Sequence, residues 1–343
     1  MAASDEDSRI IVPFIPTLFH MSLAMVAVRF YNEFGLETLK KAFLEMESRN
    51  GPNLRSRVRP NLRSRIRETL LFIPPILRRR LPAAVERVES EISHWIYHHQ
   101  YVDRFDHEKC TFFWKSDGTI DRIKTAQEIS RNRNVDIRAR FEIACMYCLA
   151  NEVQVLWAAM QANRETKKYE RSVTVSAMVR FWIRWAREGA KVSWIQAAQE
   201  YLNHQVPQRL TLYPVFRELM PEERRNFFCH LHGCNADDLR FCLYTVTKDE
   251  QEEIMKAWGA KVLEIHMNWP LAGGFLGIAK KAWKFLDGFH FCILLVSLLD
   301  RKDRTDCDFG YLADEFWNRS PCRFKEYAKE FGLSDLFTRG QIP

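Results

Sequence analysis

Apolar residues recur every three to four positions along most of this 343-residue chain, which is the spacing of helices that bury one face. Val179 and Trp182 belong to one such face, and Gly189 follows where glycine often ends a helix. Thr247 and Glu250 have the spacing of a capping box at the start of another helix. The pattern therefore predicts a chain built almost entirely from helices joined by short loops.

Strand signals are confined to one short stretch. Residues 111–114, Thr-Phe-Phe-Trp, precede the turn dipeptide Asp117-Gly118, and Thr119-Ile120 follow it. We expect an all-α fold with at most a minor β-hairpin near residues 111–120. The helix pairs that follow have no strict repeat period, so they indicate an irregular, solenoid-like array of helical hairpins.

The chain opens with an acidic segment and continues into an uncharged one. We expect a disordered acidic tail over residues 1–9, a helical region over 10–110 with an arginine-rich insert at about 52–67, and a helical-hairpin array over 111–343. The array is expected to pack continuously with the first region. Residues 10–28 carry no acid, lysine or arginine, but Pro13 and Pro16 interrupt them.

A buried first helix from about Thr17 fits residues 10–28 better than a membrane span. Leu18, Met21, Met25 and Val28 share one helical face, which we expect to be the buried one.

Composition indicates a folded globular protein, because 47% of the residues are hydrophobic and 13% are aromatic. The nine cysteines are odd in number and scattered, which favours free thiols in a reducing compartment. We therefore expect a cytoplasmic location.

The basic charge of the chain is concentrated in an arginine-rich tandem duplication. Residues 52–59, PNLRSRVR, are repeated as PNLRSRIR over residues 60–67. Residues 51–80 contain nine arginines and one acid, a net charge of +8, whereas the whole chain carries +7. The candidate polyanion-binding residues are Arg55, Arg57, Arg59, Arg63, Arg65, Arg67, Arg78, Arg79 and Arg80.

Four interpretations of this arginine-rich segment stay open. In an extended segment, alternate arginines would follow a phosphate backbone, which gives salt-dependent affinity without base reading. The same charge suits an anionic lipid surface or a nuclear import signal. Finally, the segment fits a solvated surface insert that grew by duplication.

Two histidine- and cysteine-containing clusters are candidate metal sites. His94 and His98 are four residues apart on a predicted helix, a spacing that can hold a metal ion. Residues 229–234, Cys-His-Leu-His-Gly-Cys, offer Cys229, His232 and Cys234, but without paired C-x-x-C motifs. For both clusters, solvated or core side chains are the favoured interpretation over a metal site, and we expect no cofactor.

The cysteines of the second cluster, and those of the Cys145-x-x-Cys148 motif, are interpreted as core or near-core residues. Cys145 and Cys148 share the spacing of a metal knuckle, but they lie on an apolar helix face, where cysteine behaves as a small hydrophobe.

Local catalytic motifs are missing from the sequence. It contains no phosphate-binding glycine loop, G-x-S-x-G, H-E-x-x-H or dinucleotide fingerprint. The interpretation therefore leans away from an enzyme.

Several stretches together resemble a large family of uncharacterised proteins from spiders. They are Phe113-Trp114 with Gly118–Asp121, Arg140-Phe141 with Ala144–Cys148, Val179–Trp185, Cys242–Tyr244 and Trp269–Leu271. Their order and spacing agree from about residue 16 to residue 331. The resemblance implies a helical fold, but no functional residues. The arginine duplication and Arg78–Arg80 depart from the family pattern.

Three function hypotheses follow. The first is a non-enzymatic helical scaffold that binds a partner protein. The alternative is a nucleic-acid- or polyanion-associated protein that uses the arginines between residues 55 and 80. The third is an enzyme with a metal site on a helical bundle, built around His94 and His98.

Overall fold

The computed structural model describes residues 9–13, 15–47, 60–167, 169, 176–189, 193–202, 213–234, 236–268, 271–301 and 309–333. Within these ranges the chain forms seventeen α-helices and no sheet, which confirms the all-α prediction. The chain divides into two compact units. Unit 1 comprises residues 1–13, 95–113 and 121–265, and unit 2 comprises residues 14–94, 114–120 and 266–343.

Unit 1 contains the helices of the middle of the chain. These are α5 (Arg122–Arg131), α6 (Ile137–Met146), α7 (Ala150–Ala162), α8 (Ala177–Glu188), α9 (Trp194–Leu202), α10 (Tyr213–Glu218), α11 (Pro221–Arg225), α12 (Ala236–Thr245) and nearly all of α13 (Lys248–His266). Helix α6 packs on α5, α7 and α8, and α10 packs on α9 and α12. Short 3-10 helices add residues 107–109 and 228–233.

Unit 2 combines the two ends of the described chain. It contains α1 (Leu18–Phe34), α2 (Leu36–Glu47), α3 (Pro60–Leu71), most of α4 (Pro75–His99), α14 (Phe275–Ala282), α15 (Gly288–Asp300), α16 (Phe309–Arg319) and α17 (Cys322–Glu330). Helix α2 packs on α1 and α3, while α15 packs on α16 and α17. The last five residues of α4, Trp95 to His99, belong to unit 1.

The first helix begins where the sequence predicts it. The Thr17 side chain accepts a hydrogen bond from the backbone N–H of His20, so it caps α1. The predicted buried face is correct for Val28 but wrong for Leu18 and Met25, which are 79% and 55% exposed. The buried residues of α1 are Leu23, Ala24, Ala27, Val28, Phe30 and Phe34. Among the described residues, no helix is long and apolar enough to cross a membrane.

The predicted hairpin is reduced to a single antiparallel bridge between Trp114 and Ile120. Gly118 takes a positive φ of 82° at the turn, and its N–H donates to the carbonyl of Lys115. Asp117 accepts hydrogen bonds from both the backbone N–H and the hydroxyl of Thr119. This is the minor element that the turn dipeptide predicts.

Hydrogen bonds from Gln251 join the N-terminal segment around Ile10 and Ile11 to the helices of unit 1. This fully buried side chain accepts from the backbone N–H groups of Ile10 and Ile11 at 2.9 and 3.0 Å. Its amide nitrogen donates to the carbonyls of Ile11 and Leu243, each at 2.8 Å. The amide therefore joins the segment to α12 and α13 without leaving its own polar atoms unsatisfied.

We expect Gln251→Ala to lower the free energy of unfolding by about 2–4 kcal/mol, since it leaves buried backbone N–H groups without an acceptor. Urea denaturation measures this change. Gln154→Ala, at an exposed position of α7, is the matched control and should have little effect. Equal losses in both variants would contradict the anchoring role.

Candidate functional site

A connected group of buried and half-buried polar side chains lies in unit 1. We call it the polar cluster and define it as His98, His99, Arg122, Tyr147 and Asp237. These residues come from the last turn of α4, the start of α5, the C-cap of α6 and the start of α12. Four separate elements therefore meet around one set of polar side chains.

Asp237 is the centre of the ionic half of the polar cluster. Arg122 Nε donates to one carboxylate oxygen at 2.6 Å, and Arg240 Nη2 donates to the other at 2.8 Å. The Arg122, Asp237 and Arg240 side chains are only 13%, 16% and 6% exposed. Arg122 Nη1 also lies 3.2 Å from His98 Nδ1, so that nitrogen accepts the hydrogen bond. The two guanidinium groups are held in place by one carboxylate.

His99 is enclosed by aromatic rings in the other half. Its ring stacks on Trp95 at 3.8 Å and on Tyr147 at 5.6 Å between centroids. His99 Nδ1 lies 2.6 Å from the Trp95 carbonyl, which can only accept, so Nδ1 carries the proton. Nε2 then accepts from the Tyr147 hydroxyl at 3.1 Å. Both ring nitrogens are engaged within the protein.

Burial determines the protonation states of His99 and Tyr147. It lowers the pKa of His99 to about 3, with Arg122 and His98 acting in the same direction and the hydrogen bond to the Trp95 carbonyl opposing it. Burial also raises the pKa of Tyr147 to about 12, against the effect of Arg122. Both groups are neutral at neutral pH. The arrangement serves as a fixed polar contact, because no nitrogen of His99 remains for a ligand or for proton transfer.

The two histidines of the first predicted metal cluster, His94 and His98, have different surroundings. His94 is exposed on α4, whereas His98 contacts the Arg122 guanidinium. A metal ion at Nδ1 of His98 would have to displace this cation. No group of three or more His, Cys, Asp or Glu side chains within the described ranges is placed to hold a metal ion.

The second cluster spans very different environments. Cys234 is buried, and burial raises the pKa of its thiol well above the usual value. Cys229 is exposed, so its interpretation as a core or near-core thiol is wrong. The His232 side chain lies outside the described residues. Because metals bind the thiolate, the raised pKa of Cys234 opposes metal binding there.

Cys145 lies on α6 as predicted, but Cys148 lies two residues beyond the end of α6 and takes a positive φ of 52°, so the predicted continuous helix face is wrong for Cys148. Cys145 is fully buried, and burial raises the pKa of both thiols, that of Cys148 to about 12. None of the eight cysteines within the described ranges forms a disulfide; Cys307 lies outside these ranges.

The second arginine octamer forms part of a packed helix. Pro60 is the first residue of α3, where proline is well tolerated, and Ile66 is fully buried. Arg65 pairs with Glu33 of α1 at 2.7 Å, and its guanidinium lies 6.0 Å from the Phe34 ring centroid. Arg55, Arg57, Arg59 and the Arg63 side chain lie outside the described residues. In this octamer the arginines spread around a helix instead of lining an extended strand.

An exposed apolar turn follows this helix. Leu71, Phe72 and Ile76 are 68%, 88% and 64% exposed. Arg78 Nη2 donates to the carbonyls of Leu71 and Ile73 at 3.3 and 2.9 Å, so this arginine holds the turn. We define the α3–α4 tip as the exposed residues Arg67, Leu71, Phe72, Ile76, Arg79 and Arg80.

A second exposed apolar surface lies on α15. Phe289, Ile293 and Val296 are 58%, 47% and 47% exposed and follow each other at intervals of four and three residues. We call these three residues the outer face of α15. The opposite face is buried through Phe291, Leu294, Leu295 and Leu298.

Sequence reasoning missed most of the polar cluster. Only His98 was a candidate, and the Arg122–Asp237 pair joins residues 115 positions apart, for which the sequence holds no local signal. His99 sits in a histidine-rich stretch, but its burial depends on Tyr147, 48 residues further on.

In comparisons with protein families, curated proteins and solved structures, none matches this chain. The resemblance to the spider family stays a prediction.

The polar cluster predicts a specific pH dependence of stability. An unfolded histidine has a pKa of about 6.5, whereas burial lowers the pKa of His99 in the folded protein to about 3. Between these two pH values, residue 99 therefore binds one more proton in the unfolded state than in the folded state. The contribution of neutral His99 to the free energy of unfolding is therefore complete above the pKa of the unfolded histidine, and it is lost as the pH falls below that pKa. We expect His99→Gln to reduce the pH slope of the free energy of unfolding between pH 6 and 4 by up to about 1.4 kcal/mol per unit.

Denaturation at a series of pH values tests this expectation, with His107→Gln at an exposed histidine as the control. An unchanged slope in the His99 variant would show that His99 titrates normally in the folded protein.

Proposed function

We propose that this protein is a non-enzymatic helical scaffold that binds a partner protein on the outer face of α15. The observation that carries the proposal is the exposed stripe of Phe289, Ile293 and Val296. Anchors at such spacings are typical of surfaces that pair with an amphipathic helix. Contiguous exposed apolar surface of this kind often marks an interaction site.

The composition of α15 supports this interpretation. The thirteen residues of the helix include one formally charged side chain, Asp300, at its end. A helix that is apolar on all sides is ordinarily buried on all sides. Since Phe291 already faces the core on the opposite side, the outer face is suited to a partner.

Packing within unit 2 holds α15 in a fixed position. Phe291 stacks on Phe316 and Phe324 with centroid distances of 5.0 and 5.1 Å. At the start of the helix, a Cβ on Gly288 would lie only 2.3 Å from Cγ of Tyr327, so α17 approaches this backbone closely. A helix fixed in this way loses little conformational entropy on binding.

The ends of α15 suggest the chemistry of the partner. Asp287 caps the helix and is 64% exposed, and Asp300 is exposed at the other end. An amphipathic helix with apolar anchors and basic residues near its ends would complement this surface in shape and charge.

The two other hypotheses have narrower support. A polyanion-associated protein would rest on the exposed Arg67, Arg79 and Arg80 of the arginine-rich segment. Arg65 and Arg78 are engaged within the fold, and Arg80 lies over the Phe19 ring. A metal enzyme would have to detach Arg122 from His98.

We expect Ile293→Asp to abolish the capture of a specific partner in proximity labelling, since it places a charge in the centre of the apolar stripe. Calorimetry with the purified partner should then give at least a tenfold loss of affinity, about 1.4 kcal/mol. Val155→Asp, at a 69% exposed valine of α7, is the control.

An identical set of partners for the wild-type protein and Ile293→Asp would contradict the proposal. Sedimentation equilibrium completes the test, because a dimer that Ile293→Asp dissociates would make a second copy of this chain the occupant of the face.

A further inference from the structure

We infer that the α3–α4 tip docks this protein on an anionic lipid surface. The inference stands apart from the outer face of α15, because it uses different residues and a different kind of partner. Its basis is the joint exposure of apolar and arginine side chains around one tight helix–helix turn.

The apolar part of the tip is presented on a fixed base. Phe72 is 88% exposed at the turn, with Leu71 and Ile76 exposed on either side of it. Directly behind them, Leu70 and Ile73 are 1% and 8% exposed, so they anchor the turn in unit 2. Large apolar side chains held out from a packed turn can enter the boundary between lipid headgroups and acyl chains.

Arginines lie about one helical turn behind the apolar residues. On α3, Arg67 precedes Leu71 by four positions, so both lie on one side of the helix. On α4, Arg79 and Arg80 follow Ile76 by three and four positions, with the same consequence. One turn corresponds to about 5.4 Å, which places the guanidinium groups at headgroup depth when the apolar residues are inserted.

The local charge favours an anionic surface. Residues 64–80 contain five arginines and Glu68, a net charge of +4. Arg67 and Arg79 have no hydrogen-bond or ion-pair partner within the described residues, and the Arg80 guanidinium lies 5.8 Å from the Phe19 ring centroid. Basic residues next to a membrane are attracted by anionic lipids within the Debye length.

Lipid explains the whole tip better than nucleic acid does. Tracking a phosphate backbone requires positive charge alone, so it leaves Leu71 and Ile76 without a role. Phe72 by itself would suit stacking on an unpaired base, but the two aliphatic neighbours would not. Insertion into a lipid interface uses all three apolar residues together with the arginines.

Vesicle sedimentation of the full-length protein tests the inference. We expect binding to vesicles in which phosphatidylserine replaces about a third of the phosphatidylcholine, weak binding to phosphatidylcholine alone, and a decline with added salt. Phe72→Ser should weaken binding about tenfold or more, because it removes the central apolar anchor. Arg79→Gln and Arg80→Gln should each weaken binding about fivefold.

Control substitutions at exposed residues elsewhere test whether the loss of vesicle binding is specific to the α3–α4 tip. Val155→Ser replaces a 69% exposed apolar residue of unit 1, and Arg133→Gln replaces an exposed arginine there; neither should change binding. Thermal melting should be unchanged in all five variants, since every altered side chain is exposed. Ile293→Asp should bind vesicles like the wild-type protein, which separates this surface from the outer face of α15.

Several outcomes would overturn the inference. They are absence of binding to anionic vesicles, binding that Phe72→Ser leaves intact, or equal losses in the Val155 and Arg133 controls. The same variants are titrated with duplex DNA and single-stranded RNA. Binding to these polymers that depends on Arg79 and Arg80, without vesicle binding, would instead make the tip a nucleic-acid site.

Discussion

A largely enclosed carboxylate, Asp237, joins several elements of unit 1. Asp237 is nearly enclosed, so its charge has to be neutralised within the protein, and Arg122 and Arg240 supply the two guanidinium groups. Arg122 in turn contacts His98, which ties α5 and α12 to the end of α4. Next to it, burial keeps His99 neutral, so its ring serves as a fixed polar contact. Removing the Asp237 carboxylate would therefore deprive both guanidinium groups of their shared acceptor.

Since the side chains of the polar cluster are committed to each other, the candidate interactions fall on surfaces. The two surfaces we identify both lie in unit 2, and both are backed by rigid packing. Phe291 fixes α15 behind its outer face, and Ile66 and Leu70 fix α3 behind the α3–α4 tip. At both surfaces, folding covers some apolar side chains and leaves neighbouring ones exposed. Such a surface favours interaction with a partner of matching chemistry.

The arginine-rich segment shows how one residue type takes different roles within a few positions. Arg65 pairs with an acid on α1, and Arg78 binds the carbonyls that end α3. Arg67 and Arg79 instead point their charge to the surface. Charge counted along the sequence therefore overstates the charge available to a partner. The helical register and the nearby carbonyl groups decide which arginines contribute.

The sequence by itself determined the helical class of the fold and several of its helix caps. Thr17 caps α1, and Thr247 exchanges hydrogen bonds with Glu250 at the start of α13. These features depend on residues a few positions apart, so local spacing reveals them. Only the tertiary structure decided that Met25 is exposed and that Arg122 meets a carboxylate 115 residues away. Burial and ion pairing depend on which elements pack together, and no local pattern of residues specifies that packing.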